Sequence, residues 1–148
     1  MNIRRARSTD VVEISTCVEA AYRHYISRIG KPPGPMLDDY SKVVGQHQVF
    51  VAEKNKRVIG VLVLIRKKVG ILMDNVAVLP KYQGQGLGHR LIQLAETQAF
   101  EQGFKYLHMY THELMTENIE MYKRLGYVET ERCIEKGYRR VYMRKKLF

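Results

Sequence analysis

The chain has 148 residues, 45% of them hydrophobic and 27% charged, with two cysteines and no tryptophan. Those proportions suit one globular domain, 1–148, and exclude disordered, fibrous and disulfide-framework classes. Twenty-five Lys and Arg against fifteen Asp and Glu leave a formal charge of +10, which favours an anionic partner such as nucleic acid, a lipid surface or a phosphorylated cofactor.

The charge is spread in short clusters, Arg4-Arg5-Ala6-Arg7, Arg66-Lys67-Lys68 and Arg139 to Lys146, with no long basic arm. No apolar run approaches the ~20 residues of a bilayer span. The residues after Met1 are charged and polar, so a cytoplasmic location is the default expectation.

Asn2 to Ala6 alternates as a short strand, after which Ser8 or Asp10 offers a helix cap, Asp10 and Glu13 having the spacing of a capping box. Val11, Ile14, Val18, Ala21, Tyr22 and Tyr25 then form the apolar stripe of a helix. Gly30-Lys31-Pro32-Pro33-Gly34-Pro35 must be loop, and a short helix is expected from Met36 to about Val44. The β-branched runs Val49 to Glu53 and Val58 to Arg66, joined by Lys54-Asn55-Lys56-Arg57, read as a hairpin. The second run is apolar on both faces and therefore central.

Ile71 to Leu79 is a further strand, stopped by Pro80. A helix begins near Gly86, gathers Leu87, Leu91, Leu94 and Ala95 on one face, and ends at Gly103. Tyr106 to Thr111 returns as a strand, and Thr116 or Asn118 caps a short helix, Ile119 to Leu125, closed by Gly126. Tyr127 to Cys133 and Tyr138 to Arg144 close the chain as two strands. The resulting order, βααβββαβαββ, contains no internal repeat.

Cys17 and Cys133 are far apart and form no Cys-x-x-Cys pair, which argues against a zinc ribbon. His108 and His112 lie on an expected strand, where four residues span ~13 Å, too far for one metal ion. No Gly-x-Ser-x-Gly hydrolase signature occurs. The informative segment is Val76-Ala77-Val78-Leu79-Pro80-Lys81-Tyr82-Gln83-Gly84-Gln85-Gly86-Leu87-Gly88-His89, an apolar strand feeding a glycine-rich loop and then a helix. A helix N-terminus offers unpaired N–H groups and a positive dipole end, and glycines let the backbone approach an anion. A dinucleotide fingerprint needs glycine where His89 stands, and the Gly-Lys-Ser/Thr of a Walker A loop is absent.

Gln83-Gly84-Gln85-Gly86-Leu87-Gly88 resembles instead the Gln/Arg-x-x-Gly-x-Gly/Ala pyrophosphate loop of the GNAT superfamily of acyl-CoA-dependent N-acyltransferases. A second segment, Asn118-Ile119-Glu120-Met121-Tyr122-Lys123-Arg124-Leu125-Gly126-Tyr127, resembles the family pattern Asn-x-x-x-Tyr-x-x-x-Gly-Phe/Tyr found after the fifth strand. The resemblance covers nearly the whole chain. It implies an α/β (α+β) fold: a central mixed, mostly antiparallel sheet, splayed between the fourth and fifth strands, with helices on both faces.

It also implies acetyl-CoA as cosubstrate and no metal. Pantetheine would lie along Val76, Ala77 and Val78 as a surrogate strand. Pyrophosphate would rest on the N–H groups of Gln83, Gly84, Gln85, Gly86, Leu87 and Gly88, with His89 nearby and Asn118 close to the cofactor. A backbone N–H near Val78 would hold the oxyanion, and Tyr122 would protonate the departing thiolate. An amine attacks only as a free base, so a proton acceptor is required, with Asp74, Glu113 and His112 as candidates and Asp74 favoured.

The acceptor is a primary amine on a small molecule, peptide or protein. The resemblance implies that Tyr22 to Tyr40 and Arg132 to Tyr138 bind it; Tyr22, Tyr25, Asp38, Asp39 and Tyr40 are candidates for an aromatic and acidic pocket, and Met36 with the preceding Lys31 to Pro35 loop for a lid. Two other classes carry weight, a nucleic-acid-binding module and a non-catalytic acyl-CoA sensor. The absence of an RNP1-like strand, helix-turn-helix or zinc finger disfavours nucleic acid. Final-strand exchange or edge pairing would permit a homodimer.

Overall fold

The computed structural model describes residues 1–148. Seven strands, β1 (Asn2–Arg5), β2 (Gln48–Lys54), β3 (Arg57–Lys67), β4 (Gly70–Val78), β5 (Tyr106–His112), β6 (Val128–Glu135) and β7 (Tyr138–Lys146), form one sheet in the order β1-β2-β3-β4-β5-β7-β6. Every neighbouring pair is antiparallel except β4 and β5. Asn55 and Lys56, both at positive φ, make the tight reversal of the β2–β3 hairpin. β3 is buried from Val58 to Leu64, which fits its reading as a central strand.

Helices α1 (Val11–Tyr22) and α3 (Tyr40–Gln46) cover one face of β2, β3 and β4, with Ile14, Cys17 and Val18 fully or almost fully buried against Val49, Val51, Val61 and Val63. The short helix α2 (Ile26–Ile29) follows α1 and ends at left-handed Gly30. On the opposite face lie α4 (Leu87–Glu101) and α5 (Thr116–Arg124), which join Leu62, Leu64, Ile71, Leu107, Met109 and Met143 in the larger core. Gly60 permits this arrangement, because a Cβ there would stand 3.2 Å from side-chain atoms of both Leu87 and Leu91. The first turn of α4 therefore rests on bare β3 backbone.

β4 and β5 pair in parallel only from Ile71↔Leu107 to Met73↔Met109. At that point β4 bulges: Leu64 faces Met73 and Val63 faces Asn75, so Asp74 is the extra residue. Beyond the bulge β4 continues on β3 and β5 continues on β7, and a wedge opens between them. No helix is long and apolar enough to cross a membrane.

Three local expectations change. The Asp10–Glu13 capping box does not form, because Asp10 has stronger partners. Arg4 Nη1 and Nη2 donate to its two oxygens at 2.8 and 2.9 Å, the Arg7 N–H donates at 2.7 Å, and Glu13 accepts from the Val58 N–H. The expected helix from Met36 to Val44 divides into a 3₁₀ turn over Gly34–Leu37 and α3, since Asp39 accepts from Ser41 N–H and starts the helix afresh. α5 begins at Thr116 with neither Thr116 nor Asn118 as its cap.

The hydrogen bonds from Arg4 hold buried Asp10 below the ordinary carboxylate range. Its contribution to stability is therefore complete above about pH 4, the unfolded value, and is lost as pH falls through the lower folded value. Arg4→Met removes that acid-side dependence and costs about 3 kcal/mol at neutral pH by stranding the carboxylate. Urea unfolding at pH 7 and pH 3 measures both effects.

Candidate active site

The wedge edge of β4 follows from strand alternation. Leu79 N–H donates to Ile59 O at 2.9 Å, so Leu79 and Ala77 turn their main-chain groups toward β3 while Val76 and Val78 turn theirs into the wedge. Both wedge-facing carbonyls already have partners: Tyr22 Oη donates to Val76 O at 3.0 Å, and Gln83 Nε2 to Val78 O at 2.9 Å. What the edge presents is the N–H groups of Val76 and Val78. The Tyr22 hydroxyl lies also 2.9 Å from Asn75 Oδ1, and the Asn75 amide donates to Tyr40 Oη at 3.0 Å, so a buried polar network fixes this stretch.

After Pro80–Tyr82 the chain passes Gly84 (φ 77°) and Gly86 (φ 86°) and enters α4. A Cβ at either glycine would find no atom within 4 Å. Arg90 N–H is the first to bond back into the helix, at 3.1 Å to Gly86 O, which leaves the N–H groups of Gly86, Leu87, Gly88 and His89 without helical acceptors. The loop is thus an open cradle of donors at the positive end of a 15-residue helix. The Leu87 side chain anchors the cradle in the core, whereas His89 and Gln85 are exposed.

Between this cradle and α5 lies a cavity of about 510 Å³, whose lining includes Asp74, Val76, Ala77, Val78, Gln83, Gly88, Asn118 and Tyr122. The Tyr122 ring packs edge-on to Tyr127 at 5.3 Å, and its hydroxyl faces the cavity without a hydrogen bond from the protein. Burial pushes that phenol well above its ordinary value, so it carries its proton at neutral pH. Asn118, one turn earlier, directs its amide to Met115 Sδ at 3.7 Å.

Asp74 reaches the cavity from the bulge. Its Oδ1 accepts from Tyr110 Oη at 2.9 Å, leaving Oδ2 free. The other two candidate bases are otherwise occupied. Glu113 is bridged to Arg132 at 3.1 Å and to Arg139 at 3.7 Å and is not part of the cavity wall. His112 lines the cavity, but its Nδ1 accepts from the Leu114 N–H at 3.0 Å and burial keeps the ring neutral, so Nε2 carries the proton and has no lone pair to offer.

Of the residues expected at the acceptor end, Tyr22 and Tyr25 line the cavity. Asp39 is the cap of α3, Asp38 lies outside the wall, and Tyr40 acts behind it by holding Asn75 and donating to Pro35 O. Arg28 and Tyr138, inside the two segments expected to bind the acceptor, also line the cavity, and Tyr110, Glu117 and Arg140 are site residues that sequence reasoning did not single out. The period-2 alternation of Tyr106, His108, Tyr110 and His112 was the available signal for Tyr110.

Residues 45–129 match the sequence profile of the acetyltransferase (GNAT) domain. The chain belongs to the GNAT acetyltransferase family. No curated protein matches it in sequence. Solved structures share the fold along almost its whole length. The N-acetyltransferase PaiA of Thermoplasma acidophilum, in complex with coenzyme A, has a TM-score of 0.79 at 15% identity, with 98% of each chain covered. YncA of Salmonella typhimurium, with its cofactor acetyl-CoA, gives 0.75 at 20% identity, covering 100% of this chain and 94% of that one. The ribosomal-protein-S18-alanine N-acetyltransferase of Escherichia coli gives 0.77 at 17% identity, covering 99% and 93%. This GNAT acetyltransferase therefore has the family sheet, mostly antiparallel with a parallel β4–β5 pair.

Proposed function

We propose that this GNAT acetyltransferase transfers the acetyl group of acetyl-CoA directly to a primary amine, with residues 1–148 acting as one catalytic domain. The observation that carries the reading is the wedge itself. Two N–H groups, of Val76 and Val78, point into a cavity bounded at one end by the glycine cradle and at the other by the unbonded hydroxyl of Tyr122. A pantetheine arm has the width and amide chemistry of a missing strand. Because Tyr22 and Gln83 satisfy the neighbouring carbonyls, the edge is rich in donors, as the thioester oxygen requires when it becomes an oxyanion.

In this reading the cradle from Gln83 to Gly88 holds pyrophosphate through main-chain N–H groups, and exposed His89 adds little in water. Asp74 Oδ2 takes one proton from the acceptor ammonium, and Tyr110 holds Oδ1 so that the free oxygen faces the amine. The nitrogen then forms its bond to the acetyl carbon and the carbon–sulfur bond breaks. Tyr122 donates its proton to the thiolate and is reprotonated by the second proton leaving the nitrogen. The products are the amide, free CoA thiol and one proton. Cys17, on the buried face of α1 with its thiol pushed up to about 12, has no part in this chemistry.

The test is calorimetric titration with acetyl-CoA at physiological salt, with desulfo-CoA and ATP as controls. One-to-one saturable binding of acetyl-CoA, followed by thiol release on adding an amine, is the expected result. Failure of a folded sample to bind acetyl-CoA overturns the reading, and tight binding without turnover of any amine replaces it with that of an acyl-CoA sensor.

A further inference from the structure

We infer that the acceptor of this enzyme is a compact cationic amine without an acid group, admitted beneath a roof that excludes peptide and protein amines; this rests on the cavity being the acetyl-transfer site proposed above. The segment that follows Gly30 crosses the acceptor end of the cavity, where Pro33, Gly34 and Pro35 form part of the wall. It is tied down on three sides. Before it, Arg28 Nη1 donates to Glu117 Oε1 at 2.6 Å and to Leu114 O at 3.1 Å, and Tyr25 Oη to the same Glu117 oxygen at 2.9 Å, which pins α2 to α5. In its middle, Lys31 Nζ donates to Gly137 O at 2.7 Å and stands 4.1 Å from the centre of the Tyr138 ring, while Tyr138 Oη donates to Pro32 O. At its end, Pro35 O accepts from Tyr40 Oη, which is held in turn by Asn75 of β4.

These ties join α2, the β6–β7 turn and β4 into a continuous rim. Prolines 32, 33 and 35 stiffen the span by fixing φ. A folded protein bearing a lysine, or a peptide running out of the site, would have to break the Lys31 and Tyr138 contacts to enter.

Charge narrows the acceptor further. Arg28 is paired with Glu117, and Arg140 with Glu135, each through Nη1 at 2.6 Å, so the charge of both guanidiniums is already balanced. Asp74 is the one carboxylate of the wall without an ion pair. The same wall carries four tyrosine rings: Arg28 lies over that of Tyr25, Arg140 over that of Tyr110 and Lys31 over that of Tyr138, while that of Tyr22 has no protein cation over it. One unpaired carboxylate, with the Tyr22 ring in the same wall, suits an alkyl- or arylalkylammonium ion through ionic and cation–π contact. The carboxylate of an α-amino acid would add a second negative charge to the cavity of Asp74, where the arginines of the wall already have their charge balanced by Glu117 and Glu135.

The experiment compares initial rates of thiol release from acetyl-CoA with 2-phenylethylamine, putrescine, phenylalanine, a lysine-containing tetrapeptide and a folded lysine-rich protein. The expected result is that one of the first two has a kcat/KM about 100-fold above those of phenylalanine and of both larger acceptors. The double variant Lys31→Ala/Tyr138→Phe, with an unchanged acetyl-CoA Kd as the check on its fold, should narrow the amine-to-tetrapeptide ratio about tenfold. Preference for phenylalanine, the peptide or the protein overturns the inference, as does an unaltered ratio in the double variant. Each of those results is read on an enzyme that binds acetyl-CoA and turns over an amine, so it is distinguishable from failure of the acetyl-transfer reading, in which acetyl-CoA does not bind or none of the five is acetylated.

Discussion

Tyr122→Phe lowers kcat about 100-fold while leaving the acetyl-CoA Kd within a factor of about two. The ring packs against Tyr127 and belongs to the main core, so phenylalanine keeps the packing and deletes only the cavity-facing hydroxyl. That hydroxyl has no protein partner whose loss could disturb the fold. The proposed acid role also fixes the sign of the pH dependence. Burial raises the phenol above its ordinary value near 10, so the protonated form persists through neutral and mildly alkaline solution. In the parent enzyme kcat should therefore not fall between pH 7 and about pH 9 from loss of this proton. Stopped-flow thiol release and calorimetry measure kcat and Kd separately, and an unaffected kcat in the variant removes Tyr122 from the chemistry.

Gly86→Glu abolishes measurable acetyl-CoA binding while the protein remains folded. At φ 86° any Cβ is strained by about 1–2 kcal/mol, yet no atom lies within 4 Å of its position, so nothing else in the fold must move. The added carboxylate stands at the mouth of the donor cradle, where the helix dipole attracts an anion and a fixed one competes with pyrophosphate. Gly86→Ala carries the strain without the charge and should weaken binding by only about tenfold. Thermal melting shows whether both variants are folded, and equal, parent-like affinities in the two would dismiss the cradle as the phosphate site.

The parts of the fold that could be read from the chain are those governed by short-range rules. Gly103 and Gly126, both left-handed, close α4 and α5 where their positions required, and Asn55-Lys56 turns the hairpin between two β-branched runs. The glycine loop and the Asn118-to-Tyr127 segment carried the family because their spacing is local. What stayed hidden depends on partners far away in sequence.

The Asp10 capping box lost to Arg4, which a strand brings alongside, and to the nearby Arg7 N–H. Glu113 looked like a base until the packing of β5, β6 and β7 delivered Arg132 and Arg139 to it. The direction of Asp74 is set by a bulge that no residue pattern announces, and the tie from Arg28 to Glu117 spans 89 positions. The Asp38-Asp39 pair misled for the opposite reason. A purely local bond from Ser41 outcompeted any role for Asp39 in the pocket.

The three residue pairs between β4 and β5 are also the sole main-chain stitches between a β1–β4 half-sheet and a β5–β7 half-sheet. An acetyl-CoA arm lying in the wedge would lengthen that seam, so the donor would act as a mechanical fastener as well as a reactant. At a hundred times its Kd it adds about 2.7 kcal/mol to global stability. Amide hydrogen exchange should locate this gain along the seam, with β5 and the far end of β4 slowing most. An enzyme built this way melts most easily when its donor is scarce, so its lifetime in solution is coupled to the supply of the thioester it consumes.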